Sequence, residues 1–343
     1  MPERSPLSFL TIAGHRRAAW SLLAAAMMLG ATTPAHAEDM ALRYDLEALE
    51  SDAAALDTQS SSQAEPAALA ETLSSATEPA TPLLAQEGHR WSRDYLAIAA
   101  GVVAAPSYNG SDDRVILPGF YLRGRLKGYS YSTRGTNLQV DLIRQRRGQK
   151  TDFKFGPLIN LRTDRTGRIK DPQVEALGER KLAAEVGLST GITHTGVFTS
   201  QYDQIGFRLV GLYDVSGRHG SWIVSPTIEY STPLSKRAYL GVSASANFYG
   251  RGFGRYYYDI DAAGSAASGL PVYQAAGNKA TLGKYTLGVA GAFALERDLR
   301  KGFVLIGGAQ YGRISGRHAD SPIVRIAGDA DQWLAGAGIA YNF

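Results

Sequence analysis

Cysteine is missing from all 343 residues, which rules out disulfides, thiolate metal sites and cysteine nucleophiles at once. Also missing is any run of 18 apolar residues, so no single helix of this chain is built to cross a bilayer. Glycine is abundant instead, at 38 residues, as are tyrosine and phenylalanine at 18 and 11. A β-barrel can span a membrane with that composition, because only every second strand residue has to be apolar.

The first 37 residues read as an export signal. Arg16 and Arg17 precede a mostly apolar run from Ala18 to Gly30, and Ala35-His36-Ala37 supplies a small-residue cleavage site. Residues 38–90 change character: eleven acidic residues stand against Arg43 and Arg90 in a background of Ala, Ser, Thr, Pro and Gln. Such a stretch buries too little apolar surface to offset its chain entropy, so a disordered, acidic periplasmic segment is expected. With the leader's +2 and this segment's −9 set aside from the total of +4, residues 91–343 carry +11. An acidic arm on a basic domain is the outcome.

From Asp94 onward the chain repeats one unit, about ten alternating residues followed by a turn. In residues 237–249 one face holds Ala238, Leu240, Val242, Ala244, Ala246 and Phe248; the other holds Tyr239, Ser243, Ser245 and Asn247. Period-two alternation marks a strand between two different environments. Val304 and Ile306 break the pattern by falling on the presumed inner face of residues 303–311. Strands are expected at 94–105, 115–124, 128–134, 136–145, 151–161, 181–195, 202–214, 220–231, 237–249, 283–296, 302–314 and 333–343. Twelve is an even number, as a closed barrel needs when both termini lie on one side. With the amino terminus in the periplasm, RLK, RQRRGQK, residues 196–201, TPLSKR and ERDLRKG all fall on one side, and all are short. Every long connection falls on the other side. That asymmetry is the one expected of an outer-membrane barrel; a β-sandwich gives no reason for it.

The final strand, WLAGAGIAYNF, ends on an aromatic residue and suits a closing strand that pairs with the first. It resembles the carboxy-terminal signal read by the barrel-assembly machinery, with Gly338, Tyr341 and Phe343 at the glycine and the two hydrophobic positions. Three further stretches, AAPSYNGSDDRVILPGFYL (104–122), SGLPVYQAAG (268–277) and YGRISGRHADSPIVR (311–325), resemble the MltA-interacting protein family, also called MipA/OmpV. The resemblance spans residues 91–343. It implies an outer-membrane barrel that is structural rather than enzymatic. After the founding member, it implies a scaffold joining a lytic murein transglycosylase to a peptidoglycan synthase. The motif residues it carries over are Pro106, Tyr108, Gly110, Ser111 and Arg114 in the first outer loop, and Ser268, Gly269, Leu270, Pro271 and Tyr273 in the fifth. Ala319, Asp320, Ser321 and Pro322 match in the sixth.

Few residues suggest chemistry. GLSTG (187–191) fits the G-x-S-x-G nucleophile pattern, but Ser189 sits inside a strand, facing inward, without the strand-to-helix elbow that such a serine needs. His194, His219 and His318 lack zinc-ligand spacing, and the acidic clusters at 111–113, 259–261 and 329–331 lack that of a calcium loop. Arg162, Arg165, Arg168 and Lys170 make a basic outer loop suited to lipopolysaccharide phosphate. Tyr256, Tyr257 and Tyr258 suit sugar stacking or the interfacial aromatic girdle. Inward-facing charges are the candidates for a solute path: Asp141, Lys154, Arg208, Glu229, Arg237, Lys284 and Glu296. They either line a narrow polar channel or pair across the bore and close it.

The sequence therefore predicts an all-β protein, a closed antiparallel transmembrane barrel of about twelve strands over 91–343, in the outer membrane of a Gram-negative bacterium. Its expected surroundings are outer-membrane lipid, lipopolysaccharide and the barrel-assembly machinery, with no cofactor, metal or nucleic acid. Scaffolding is the expected role. A channel for small polar solutes is the alternative, and a lipid hydrolase using Ser189 the remoter one.

Overall fold

Alternation becomes a wall. The computed structural model describes residues 95–144 and 149–343; the expected export signal, the acidic segment and part of the RQRRGQK turn lie outside the described residues. Twelve strands follow in order: β1 (Tyr95–Pro106), β2 (Arg114–Leu126), β3 (Tyr129–Arg134), β4 (Asn137–Asp141), β5 (Thr151–Arg162), β6 (Ala183–Thr195), β7 (Gln204–Asp214), β8 (Trp222–Pro233), β9 (Ala238–Tyr249), β10 (Thr281–Ala294), β11 (Gly302–Ile314) and β12 (Asp331–Asn342). Each pairs antiparallel with its chain neighbours. β1 pairs with β12 from Ala97↔Asn342 to Ala104↔Ala335, which closes the barrel. Gly101 and Gly338 face each other in that seam, where a Cβ on either would run into the opposing backbone.

All twelve expected strands are present, with ends shifted by a few residues. The fourth differs most, spanning Asn137–Asp141 rather than 136–145. Its end has a local cause. The Asp141 Oδ1 accepts from the backbone N–H groups of Ile143 (3.0 Å) and Phe155 (3.2 Å), so a side chain replaces the ladder at that point.

The outward face is apolar around the whole circumference. Ile116, Phe120, Phe155, Leu188, Ile228, Leu287 and Ile339 are exposed, Ile116 to 76%. A soluble protein does not leave such a belt bare, and a bilayer covers it. Aromatic residues stand near both ends of the belt: Tyr213, Trp222 and Trp333 at one, and Phe303, Tyr341 and Phe343 at the other. The inward face carries many buried polar side chains, and one apolar cluster fills it near the short-turn end. There Ala99, Tyr239, Ala292, Val304 and Ala340 form a buried cluster with Ile306 packed against it. This explains the break in alternation at Val304 and Ile306: that part of the bore is filled with apolar side chains.

The three longest connections, 163–182, 250–280 and 315–330, all leave the same end of the barrel. That end also carries 107–113, 215–221 and the two-residue turn 135–136; the other carries 127–128, 142–150, 196–203, 234–237 and 295–301. The long loops contain helices: α1 (Pro172–Ala176), α2 (Arg251–Tyr258), α3 (Ala262–Ser268) and α4 (Pro322–Arg325).

Candidate functional site: the capped mouth and the bore

Glycine-rich GRGFGRYYY has little helical propensity, yet it forms α2, because one face can be buried. Phe253, Tyr257 and Tyr258 share that face and lie in a cluster with Ile223, Tyr249, Ala276, Ile314 and Val324. Phe253 is fully buried, stacked at 4.1 Å on Tyr249 and 4.7 Å from Tyr257. Burial pushes the phenols of Tyr257 and Tyr258 well above the ordinary tyrosine range. The tyrosine run therefore does not serve as a girdle or an exposed stacking platform, since two of its three rings are core. A second cluster joins Tyr108, Ile169, Val174, Ile260, Leu270, Ile323 and Ala327, drawn from four different loops. Together they make a packed cap at the long-loop end.

The three sequence motifs meet inside this cap. Tyr108 donates its hydroxyl to the Ala327 carbonyl (2.5 Å), and Gly110 N–H donates to Gln332 Oε1 (3.1 Å). Gly110 has φ +112, and a Cβ there would meet Val324 of α4 at 2.8 Å, so both backbone and packing demand glycine. Ser111 holds Ser107 through their hydroxyls (2.9 Å). Pro106 and Arg114 pair across the mouth of the first hairpin, and the Arg114 carbonyl accepts from Lys170 Nζ (2.6 Å). Ser268 bonds back to the Gly264 carbonyl (2.7 Å), Gly269 caps α3, and Leu270 is buried, while Pro271 is exposed. Tyr273 exchanges backbone bonds with Ile260 and donates its hydroxyl to the Arg317 carbonyl (2.6 Å). Ala319 packs against the first cluster, Asp320 is exposed, Ser321 donates to the Tyr258 carbonyl (2.6 Å), and buried Pro322 starts α4.

Beneath the cap lies a charged layer centred on Glu185, and it includes two cations expected in the basic outer loop, Arg162 and Arg165. Glu185 Oε1 accepts from Arg162 Nε (2.6 Å) and Oε2 from Arg162 Nη2 (3.1 Å) and Asn160 Nδ2 (2.8 Å); His219 Nε2 lies 3.0 Å from Oε1. Arg165, 2% exposed, donates to the Tyr257 carbonyl (3.1 Å), and burial beside Arg180 lowers its guanidinium to about 10. Of the basic loop, only Arg168 and Lys170 are exposed, so Arg162 and Arg165 are corrected from surface to interior.

The bore charges divide. Lys284 Nζ reaches the Asn109 side-chain oxygen (3.2 Å), and Arg208 Nη2 pairs with Glu229 Oε1 (2.7 Å) along the wall. Lys154 and Asp141 share the inward face near the short-turn end. Arg237 and Glu296 are corrections: both stand exposed in short turns outside β9 and β10. Arg237 bonds to the carbonyls of Ala294 and Leu295 and lies 4.9 Å over the Phe293 ring. Ser189 faces inward, accepting from Gln139 Nε2 (3.1 Å), while His194 bonds to Thr151 (2.7 Å). Asp259, Asp261 and Asp329 cap backbone N–H groups, and no metal-ligand cluster occurs among the described residues. Gly338 sits in the closing seam; Tyr341 packs edge-on between Phe303 (4.9 Å) and Phe343 (4.7 Å).

His318, in the loop between β11 and β12, is buried edge-on against Tyr258 (4.9 Å) and Tyr249 (5.4 Å). Neither ring nitrogen has a hydrogen-bond partner among the described residues. Burial lowers its pKa from 6.5 to about 4. Because the loosened cap binds the proton more readily, His318 stabilises the cap fully above about pH 6.5. That contribution is lost as pH falls through 4. The expected loss is about 3 kcal/mol of local stability. It will be visible as faster amide exchange of residues 250–280 after correction for intrinsic rates. His318→Phe should flatten this pH response, and an equally steep response in that variant would assign it to another group.

Comparison with curated proteins finds no match. Among solved structures, an outer membrane channel from Pseudomonas putida F1 aligns at 10% identity over 78% of this chain and 100% of its own, with a TM-score of 0.40. OprD from Pseudomonas aeruginosa aligns at 11% identity over 73% and 65%, TM-score 0.33. An anion-selective porin from Comamonas acidovorans aligns at 8% over 73% and 99%, TM-score 0.31. The family model described as MltA-interacting protein MipA matches residues 98–343, from within the first strand through the last, and the chain belongs to that family.

Proposed function

We propose that this outer-membrane barrel is a docking scaffold for the enzymes that cut and build peptidoglycan, not an open pore. The observation that carries the reading is the cap: two apolar clusters and a hydrogen-bonded charged layer stand between the long-loop mouth and the bore. A solute entering by that mouth meets this packed layer. The family's name supplies the partner class, a murein transglycosylase. With long loops outside, the periplasm meets the short turns, whose described residues include Lys127, Arg144, Lys150, Lys236, Arg300 and Lys301. Such a rim suits an acidic partner surface.

Two measurements on the full chain test this. In planar bilayers the folded barrel, identified by heat-dependent gel mobility, should give no discrete conductance steps. In cells, a photo-crosslinking residue at Leu234, exposed at the tip of a short turn, should capture the transglycosylase. Charge-selective steps, reduced in Arg208→Gln, would replace the scaffold by the channel reading.

A further inference from the structure

The barrel wall is thinnest in paired residues at β3 and β4, with six and five residues beside neighbours of thirteen and twelve. β4 is in register with β5 at just Asn137, Leu138 and Gln139, with one side-chain bond added, from the Phe155 N–H to the Asp141 carboxylate. On the outward face of this stretch lies a crevice of about 470 Å³. Its construction follows from register. Leu126 faces Tyr129 and Tyr131 faces Val140, all pointing out, while Ser130 and Asp141 point in. Tyr131 folds across Gly124, where a Cβ would run into the ring, and so leaves the space between Leu126, Leu138 and Val140 open.

Two cations stand at its short-turn edge. Lys127 and Gly128 both have positive φ (52° and 88°), the tight hairpin turn that carries Lys127 outward beyond the wall. The Arg144 guanidinium lies 5.0 Å over the Tyr129 ring, its stem running past Gly128. The crevice lining includes both Lys127 and Arg144. An apolar slot in a bilayer-facing wall, with paired cations where the slot meets the interface, matches the two halves of an acidic phospholipid.

We propose that this crevice is a specific site for an acidic phospholipid of the periplasmic leaflet, with an acyl chain against Leu126, Leu138 and Val140 and the phosphate at Lys127 and Arg144. The proposal rests on the membrane-spanning reading of the wall but not on scaffolding or conduction. The test is native mass spectrometry of the full-length barrel released from micelles containing equal phosphatidylglycerol and phosphatidylcholine. The wild type should retain phosphatidylglycerol preferentially. Lys127→Gln with Arg144→Gln, both at exposed positions that leave the strands intact, should lower the preference roughly fivefold per cation. Val140→Trp, which fills the slot, should lower retention of both lipids. Equal retention of the two lipids by the wild type, or an unchanged preference in the double variant, overturns the site. Failure of the protein to float with vesicles would instead overturn the membrane-spanning reading itself.

Discussion

Glu185→Ala is expected to destabilise the barrel by about 3–5 kcal/mol, the usual cost of breaking a buried ion pair from one side. Glu185 has no exposed surface and serves Arg162, Asn160 and His219 together. Removing the carboxylate leaves the Arg162 guanidinium charged and buried and takes away one acceptor of the Asn160 amide. The cost is therefore that of the stranded partners and not the net worth of the pair. Two companions separate these quantities. Glu185→Gln retains an acceptor but not the charge and should fall between wild type and Glu185→Ala. The double variant Glu185→Leu with Arg162→Leu removes both charges and should recover much of the loss. Urea unfolding in lipid vesicles, followed by tryptophan fluorescence, reads all three. A Glu185→Ala barrel within about 1 kcal/mol of wild type would show that Arg162 reaches solvent or another anion.

The layer containing Glu185 was not legible from the sequence, whereas the wall was, and the reason is physical. A barrel wall separates lipid from bore, so every strand must alternate, and alternation is a two-residue signal visible without knowing any partner. The side on which each loop lies then follows from strand parity. The cap has no such local rule. Arg162 and Arg165 look like loop cations until Glu185, 23 residues from Arg162, and Tyr257, 92 from Arg165, are brought beside them. Arg237 and Glu296 failed for a smaller reason. β9 starts one residue later and β10 ends two residues sooner than the pattern suggested, enough to move a charge from the bore to a turn. The motif stretches were legible as a set, but their meeting in one cap was not, since their contacts join loops more than 200 residues apart.

That distance makes the cap separable from the barrel, and Phe253→Ala is the substitution that divides them. The Phe253 ring is fully buried, stacked on Tyr249, in contact with Tyr257, 5.4 Å from His219, and lies under the Arg162 guanidinium at 5.2 Å. Truncation removes the transfer energy of the ring and leaves a cavity between α2 and the strand ends, a cost of about 3–5 kcal/mol. Strands β1–β12 keep their ladders and their lipid contact, so the loss should fall on the cap as local opening and not on the barrel. The expected result is rapid cleavage within residues 250–280 by protease added to intact cells, while the folded band persists on unheated gels. Phe253→Leu should restore most of the protection. A Phe253→Ala protein as resistant as wild type would mean that the cap is held mainly by its polar contacts, such as Tyr108 to Ala327 and Ser321 to Tyr258. If barrel and cap instead unfold together, the loops are part of one cooperative unit with the wall, and the mouth cannot open without loss of the barrel.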